Sequence, residues 1–250
     1  ILGVDEKGND LRQKPAAVAS ATPAATSPTP SASKSSTAPA SSSPSLPVSK
    51  SSEEKFPPGQ WVKVFTKFED LPENLRKPDS GVKFEDGWIH GANNAEFKVL
   101  VPGFDVRFGA IRARVRLKGP DQGGTLNLGG YPKTSGKGGN TFHLAYQFPG
   151  SKCVTETHNG AWSTLSSAAV KLAQQGESEF ELGGVGRKLI SRFDQQLLSV
   201  NEIDAAIGGP SGWYGRASIR DIEVINLDGI PEAEALRILG VDEKGNDIRA

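Results

Sequence analysis

Three arginines at alternate positions, Arg112, Arg114 and Arg116, offer the first chemistry that the spacing of this chain suggests. Successive side chains of an extended strand point to opposite faces, so the intervening Ile111, Ala113, Val115 and Leu117 belong to a core. The guanidinium row can grip the carboxylates or sulfates of an acidic glycan with paired hydrogen bonds, or it can pair with acids on neighbouring strands. Glu156 and His158 share one face of a second extended run and form either an acid/base pair or a solvated strand edge. Tyr131 and Trp162 each follow turn residues and leave the apolar parity of their strands. Both are expected to be partly exposed, where an aromatic ring stacks on a sugar or packs at a rim.

Other chemistries fit less well. Glycoside hydrolysis calls for two carboxylates about 5–9.5 Å apart, and the nearest formal match is Glu202 with Asp204, without a third acid at Ala206 or Ile207. His143, Cys153, Glu156 and His158 match no compact zinc spacing, and with one cysteine there is no internal disulfide framework. Asp121, Asp194 and Asp221 are the oxygen donors available to a calcium ion, but no loop has the dense acidic spacing of a calcium site. The glycine run Gly130–Gly138 misses the phosphate-loop spacing and puts Gly138 where a Ser or Thr should stand, so it reads as a mobile loop. No catalytic residue, metal or cofactor is therefore expected. The 29 basic and 29 acidic residues cancel, which argues against nucleic acid as a partner. No stretch approaches the roughly 20 apolar residues of a membrane span, so no direct membrane contact is expected.

Positioning these groups falls to many short strands. Apolar alternation between Gly- and Pro-bearing turns predicts strands at Val62–Phe65, Val82–Glu85, Gly87–Gly91, Glu96–Leu100, Phe108–Lys118, Thr125–Leu128, Thr141–Phe148, Lys152–His158, Ser178–Leu182, Lys188–Phe193 and Gln196–Val200. A closing pair is expected at Gly215–Ile219 and Ile222–Asn226, and the one helical stretch within residues 56–228 at Ser166–Gln175. The class is all-β, an antiparallel two-sheet sandwich over residues 56–228.

Gly87-Trp88-Ile89-His90-Gly91, the run Phe104–Phe108 that feeds the arginine strand, and Gly124–Gly129 together resemble the opening strands of 3-keto-disaccharide hydrolase-like proteins. Val185–Asp194 and Gly215–Val224 resemble the closing strands of the wider concanavalin A-like and laminin G-like superfamily. The resemblance covers about residues 61–228 and implies a jelly roll with a concave face that in relatives often binds glycans. It implies Arg112, Arg114 and Arg116, with Asn127, His143 and Gln147, on that concave side. Relatives often carry a Glu two residues before the Gln of the strand at 141–148; here Ala145 stands there, before Gln147. The ligand-binding set read from the sequence is thus Arg112, Arg114, Arg116, Asn127, Tyr131, His143, Gln147, Glu156, His158 and Trp162. The expected function is a non-catalytic module for a carbohydrate or cell-surface ligand, with a glycan-active hydrolase or an architectural spacer as alternatives.

Outside the sandwich, Ile1–Asp10 returns unchanged as Ile238–Asp247, which reads as one module with its linker repeated in tandem, residues 1–13 closing a preceding repeat. Neighbouring copies are then natural partners. Such arrays resemble large bacterial proteins, some with a protein kinase domain, and favour the extracytoplasmic or cell-envelope side. Residues 14–55, rich in Ala, Ser, Pro and Thr, read as a disordered linker. Residues 229–250 read as a short helix, started by Pro231, and the second decamer leading to the next linker.

Overall fold

The computed structural model describes residues 55–116, 123–129, 141–147, 151–158, 161–171, 177–203 and 211–249. The first decamer, the 14–54 stretch, the Gly130–Gly138 run with Tyr131, and Asp121 and Asp204 lie outside these residues.

Fourteen strands among the described residues form two antiparallel sheets. The eight-stranded sheet runs β12 (Gln196–Glu202), β11 (Lys188–Phe193), β10 (Glu177–Val185), β5 (Gly109–Arg116), β14 (Ser218–Asn226), β3 (Trp88–Gly91) and β2 (Val82–Glu85). The short β1 (Trp61–Lys63) also pairs with β14. The six-stranded sheet runs β4 (Phe97–Leu100), β13 (Gly212–Gly215), β6 (Gly124–Leu128), β7 (Thr141–Gln147), β8 (Lys152–His158) and β9 (Trp162–Ala169). Among the described residues there are two helices, α1 (Glu73–Arg76) and α2 (Glu232–Ile238), along with short 3-10 turns. The all-β sandwich and the short helix near the C-terminal end are as the sequence pattern predicts.

The inward residues of both sheets make one core. Ile111, Ala113 and Val115 of β5 meet Leu126, Phe142 and Leu144 of β6 and β7. Trp213 of β13 is fully buried and lies flat over Gly124; a Cβ there would stand 2.0 Å from the indole, so only glycine admits the ring. At the β9/β12 end the interior turns polar. Thr155 donates to Ser191 at 2.9 Å across the sheets, Ser166 donates to Ser199 at 2.8 Å, and Asn201 donates to Ser166 at 3.1 Å. Buried hydroxyls satisfied by one another in this way avoid the penalty of unpaired polar burial.

Three local expectations are corrected. Ser166–Gln175 does not begin as a helix: Ser166–Ala169 completes β9, which pairs with β8. The register shifts between Thr155 and Glu156, leaving Leu165 as an extra residue in β9. That bulge breaks the alternation by which a strand is recognised. The closing pair is one long strand, β14, because the Arg220–Asp221 interruption is a bulge against β5, with Asp221 at φ 50°. The strand just before it, β13, which the pattern did not predict, belongs to the other sheet, between β4 and β6.

The outer face of the eight-stranded sheet is covered in part by α2 and the second decamer. Leu236, Leu239 and Val241 lie on Ala110, Ile190 and Ile225. Leu239 reaches the sheet because Gly183 has no side chain; a Cβ there would sit 2.7 Å from Leu239 Cδ1. The decamer is therefore packed against the sandwich itself.

Candidate functional site

The structure divides the sequence-selected residues between two surfaces. Arg112, Arg114 and Arg116 do alternate with core residues on β5, but they face outward from the eight-stranded sheet. Asn127, His143, Glu156, His158 and Trp162 lie on the outer face of the six-stranded sheet. The expectation that the arginines share one concave side with Asn127, His143 and Gln147 is thus overturned. Alternation fixes which residues share a face of one strand; it does not say which sheet that strand joins. Tyr131 lies outside the described residues, and Gln147 is placed only by its backbone pairing with Lys152.

On the eight-stranded sheet the arginines are engaged by neighbours. Arg112 donates to Glu223 at 2.5 Å and lies 4.2 Å over the Trp61 ring. Arg116 donates to Glu177 at 2.7 Å and, with Arg220, covers the ring of buried Trp88 at 4.1 and 4.7 Å. Glu177 also accepts from Arg220. Burial alone would push the Glu177 carboxyl up, but these two guanidinium groups hold it below its ordinary range. Arg114 is the most exposed of the three and lines a cleft of about 270 Å³ with Glu177, Glu179, Asp194 and Gln195. With Glu177 taken up by Arg116 and Arg220, Arg114 shares the cleft with Glu179 and Asp194, and two carboxylates beside one arginine disfavour an acidic ligand.

The six-stranded face is built differently. Cross-strand pairing sets Asn127 opposite His143, His143 opposite Glu156, and Glu156 opposite Thr164. One row along, Thr141 faces His158 and His158 faces Trp162. Partners directly opposite share a face at side-chain contact distance. The Leu165 bulge is what puts Trp162 and Thr164 on this outer face while Ser166 turns inward to Ser199.

The outcome is an aromatic platform. The Trp162 indole is 45% exposed, yet its centroid is 4.1 Å from that of His143 and 4.9 Å from that of His158. His143 is only 5% exposed, and burial, with a smaller effect from nearby His158, pushes its pKa down to about 3. It is a neutral ring at physiological pH. Burial pushes the facing Glu156 carboxyl up, against a smaller downward pull from Lys152. Asn127 is 1% exposed and donates to the Thr125 carbonyl at 3.2 Å, while its Oδ1 has no hydrogen-bond partner among the described residues.

Sequence reasoning missed Tyr214 and Lys98, which stand opposite each other on β13 and β4, on this same face. Tyr214 donates to Glu96 at 2.8 Å. The signal was the pair Trp213-Tyr214 between two glycines, too short to show alternation. Cys153 is inward and buried, its thiol pushed up to about 12 chiefly by burial, with a smaller contribution from Asp194. It cannot join His143, Glu156 and His158, and among the described residues no group of acids, histidines and cysteine could hold a metal.

No protein-family model matches the chain, and no curated protein matches it. Solved structures do. A native glycosidic hydrolase is similar over 69% of this chain and 92% of its own, with 12% identity and a TM-score of 0.46. A Bacillus subtilis protein of unknown function with a galectin-like fold is similar over 61% and 93%, with 13% identity and a TM-score of 0.47. The carbohydrate-binding module CBM66 of Bacillus subtilis is similar over 66% and 90%, with 13% identity and a TM-score of 0.37. At these identities the similarity concerns the fold alone.

Proposed function

We propose that the chain binds a carbohydrate on the outer face of the six-stranded sheet, centred on Trp162, without acting on it chemically. The observation that carries this reading is the exposed indole held in place by His143 and His158. A flat apolar ring, already immobilised, meets the apolar face of a sugar at little entropic cost. Asn127, Glu156 and His158 around it supply the oriented hydrogen bonds that select a hydroxyl pattern. Hydrolysis would need a second carboxylate about 5–9.5 Å from the first. Among the described strand residues of this face Glu156 is the one carboxylate, and Glu96, which accepts from Tyr214, stands beside β4, four strands away from β8, which favours binding over catalysis.

A glycan array probed with the full chain, Trp162→Ala and the pair Arg112→Ala/Arg114→Ala tests the reading. Stacking contributes about 0.5–1.5 kcal/mol beyond buried area, so Trp162→Ala is expected to weaken binding about tenfold or more. The arginine pair is expected to leave it within twofold, and mass spectrometry is expected to find no new reducing ends on the bound oligosaccharide. Absence of binding to every glycan, or binding indifferent to Trp162→Ala, overturns the assignment.

A further inference from the structure

Arg192 is 1% exposed, and its guanidinium donates to the Gln195 carbonyl at 2.8 Å and otherwise to the second decamer. Its Nε donates to the Leu239 carbonyl at 3.2 Å and Nη2 to the Gly240 carbonyl at 2.6 Å. Nη2 and Nη1 donate to the two Asp247 carboxylate oxygens at 2.8 and 3.1 Å. Beside it Glu181, 3% exposed, accepts from Arg249 Nη1 at 3.0 Å. Between these anchors the Asp242 carboxylate closes a turn by accepting from the Lys244 and Asn246 amides and the Asn246 side chain. The face thus reads a definite pattern: two carbonyls over a Leu-Gly pair, an apolar Val, an Asx-closed turn, then an acid and a base two residues apart.

A guanidinium and a carboxylate on this face make it selective, since an occupant that buried them without matching groups would strand each charge in a site with little water. Whatever covers it must bring that pattern. The chain contains the pattern twice. Leu2, Gly3, Val4, Asp5, Asn9, Asp10 and Arg12 stand where Leu239, Gly240, Val241, Asp242, Asn246, Asp247 and Arg249 make the contacts. The single difference between the two twelve-residue stretches is Leu11 for Ile248, and Ile248 is 49% exposed. Identity is kept at every position that docks, and the one difference falls at an exposed position.

We propose that the outer face around Arg192 is a sequence-specific docking site for this segment, and that Ile1–Arg12 is its second occupant, in exchange with Ile238–Arg249. The C-terminal copy holds an advantage, because Leu236 of α2 packs with it on the same face. The N-terminal copy docks when the C-terminal copy is loosened.

Hydrogen exchange on the full chain, read by mass spectrometry, separates the two copies because their flanks differ. In Asp247→Ala, protection over 238–249 is expected to fall at least tenfold and protection over 1–12 to rise by a similar factor. Adding Asp10→Ala is expected to remove that rise. If Asp247→Ala alone leaves 238–249 protected, Val241→Asp/Asp247→Ala releases it. Exchange of 1–12 at its wild-type rate after release overturns the proposal, as does a rise that survives Asp10→Ala. Should the sandwich itself open, visible as lost protection over Lys188–Phe193, a synthetic peptide of residues 1–12 is titrated into the wild-type chain instead. The peptide is expected to strip protection from 238–249 in a dose-dependent way that its Asp10→Ala form does not match. No effect at millimolar peptide overturns the proposal.

Discussion

His143 makes the candidate site sensitive to acid, and the size of the effect follows from its surroundings. The ring is buried between Asn127 and Glu156 and tilted against Trp162, with His158 one row away, and its pKa is pushed down to about 3. In the unfolded chain a histidine titrates near 6.5. Between those values the unfolded state binds a proton that the folded state refuses, so stability must fall as pH drops below about 6.5 and go on falling towards 3. Each pH unit in that window costs about 1.4 kcal/mol, which amounts to about 2 kcal/mol between pH 7 and pH 5. Glu156 opposes the trend: burial pushes its carboxyl up, so its contribution improves as pH falls.

A comparison with His143→Gln isolates the histidine, since the substitution keeps a polar side chain while removing the titration. Urea unfolding followed by tryptophan fluorescence at pH 7, 6 and 5 is the assay. The wild-type protein is expected to lose about 2 kcal/mol more than the variant over that range. Equal slopes for the two proteins would mean that His143 ionises freely in the fold, and the picture of a buried neutral ring supporting Trp162 would be wrong.

Two further substitutions probe the scaffold. Gly124→Ala puts a methyl group where the Trp213 indole lies, and overpacking of this kind costs about 1–3 kcal/mol, read as a lower urea midpoint at unchanged m-value. Asp228→Ala removes a carboxylate that accepts from the Arg107 amide at 3.0 Å and the Phe108 amide at 2.7 Å just before β5. Losing these charge-assisted bonds at a partly exposed site is expected to cost about 1–3 kcal/mol in the same assay.

Much of the fold was legible because most of its strands are regular and end at Gly or Pro. Val82–Glu85, Lys152–His158 and Lys188–Phe193 have the bounds that alternation predicts. Failures gather at bulges. Leu165 lets Trp162 and Ser166 lie on opposite faces although they are four residues apart, and the Ser/Ala run around it then mimics a helix. Asp221 adopts a left-handed conformation inside a strand and passes for a turn. Of the candidate site, the residues were legible and their grouping was not, because nothing local to β5 or β7 records which strands lie beside them.

That division bears on function. Every outward position described on β5 is already engaged: Ala110 lies under the decamer, Arg112 and Arg116 are bound to acids and stacked on tryptophans, and Arg114 approaches Asp221 at 3.9 Å. A ligand arriving there would have to break charge pairs before making any of its own, and truncating one member of such a pair leaves the other charge stranded. On the six-stranded sheet the aromatic ring is exposed and already held, so a sugar at the proposed site would break no charge pair among the described residues. The same chain thus covers one outer face with the second decamer and its own charge pairs, and keeps its exposed indole on the other. Arg112→Ala should therefore loosen Glu223 and Trp61 within the sheet and leave a ligand at the proposed Trp162 site in place, whereas a ligand lost with Arg112 would return recognition to the arginine row.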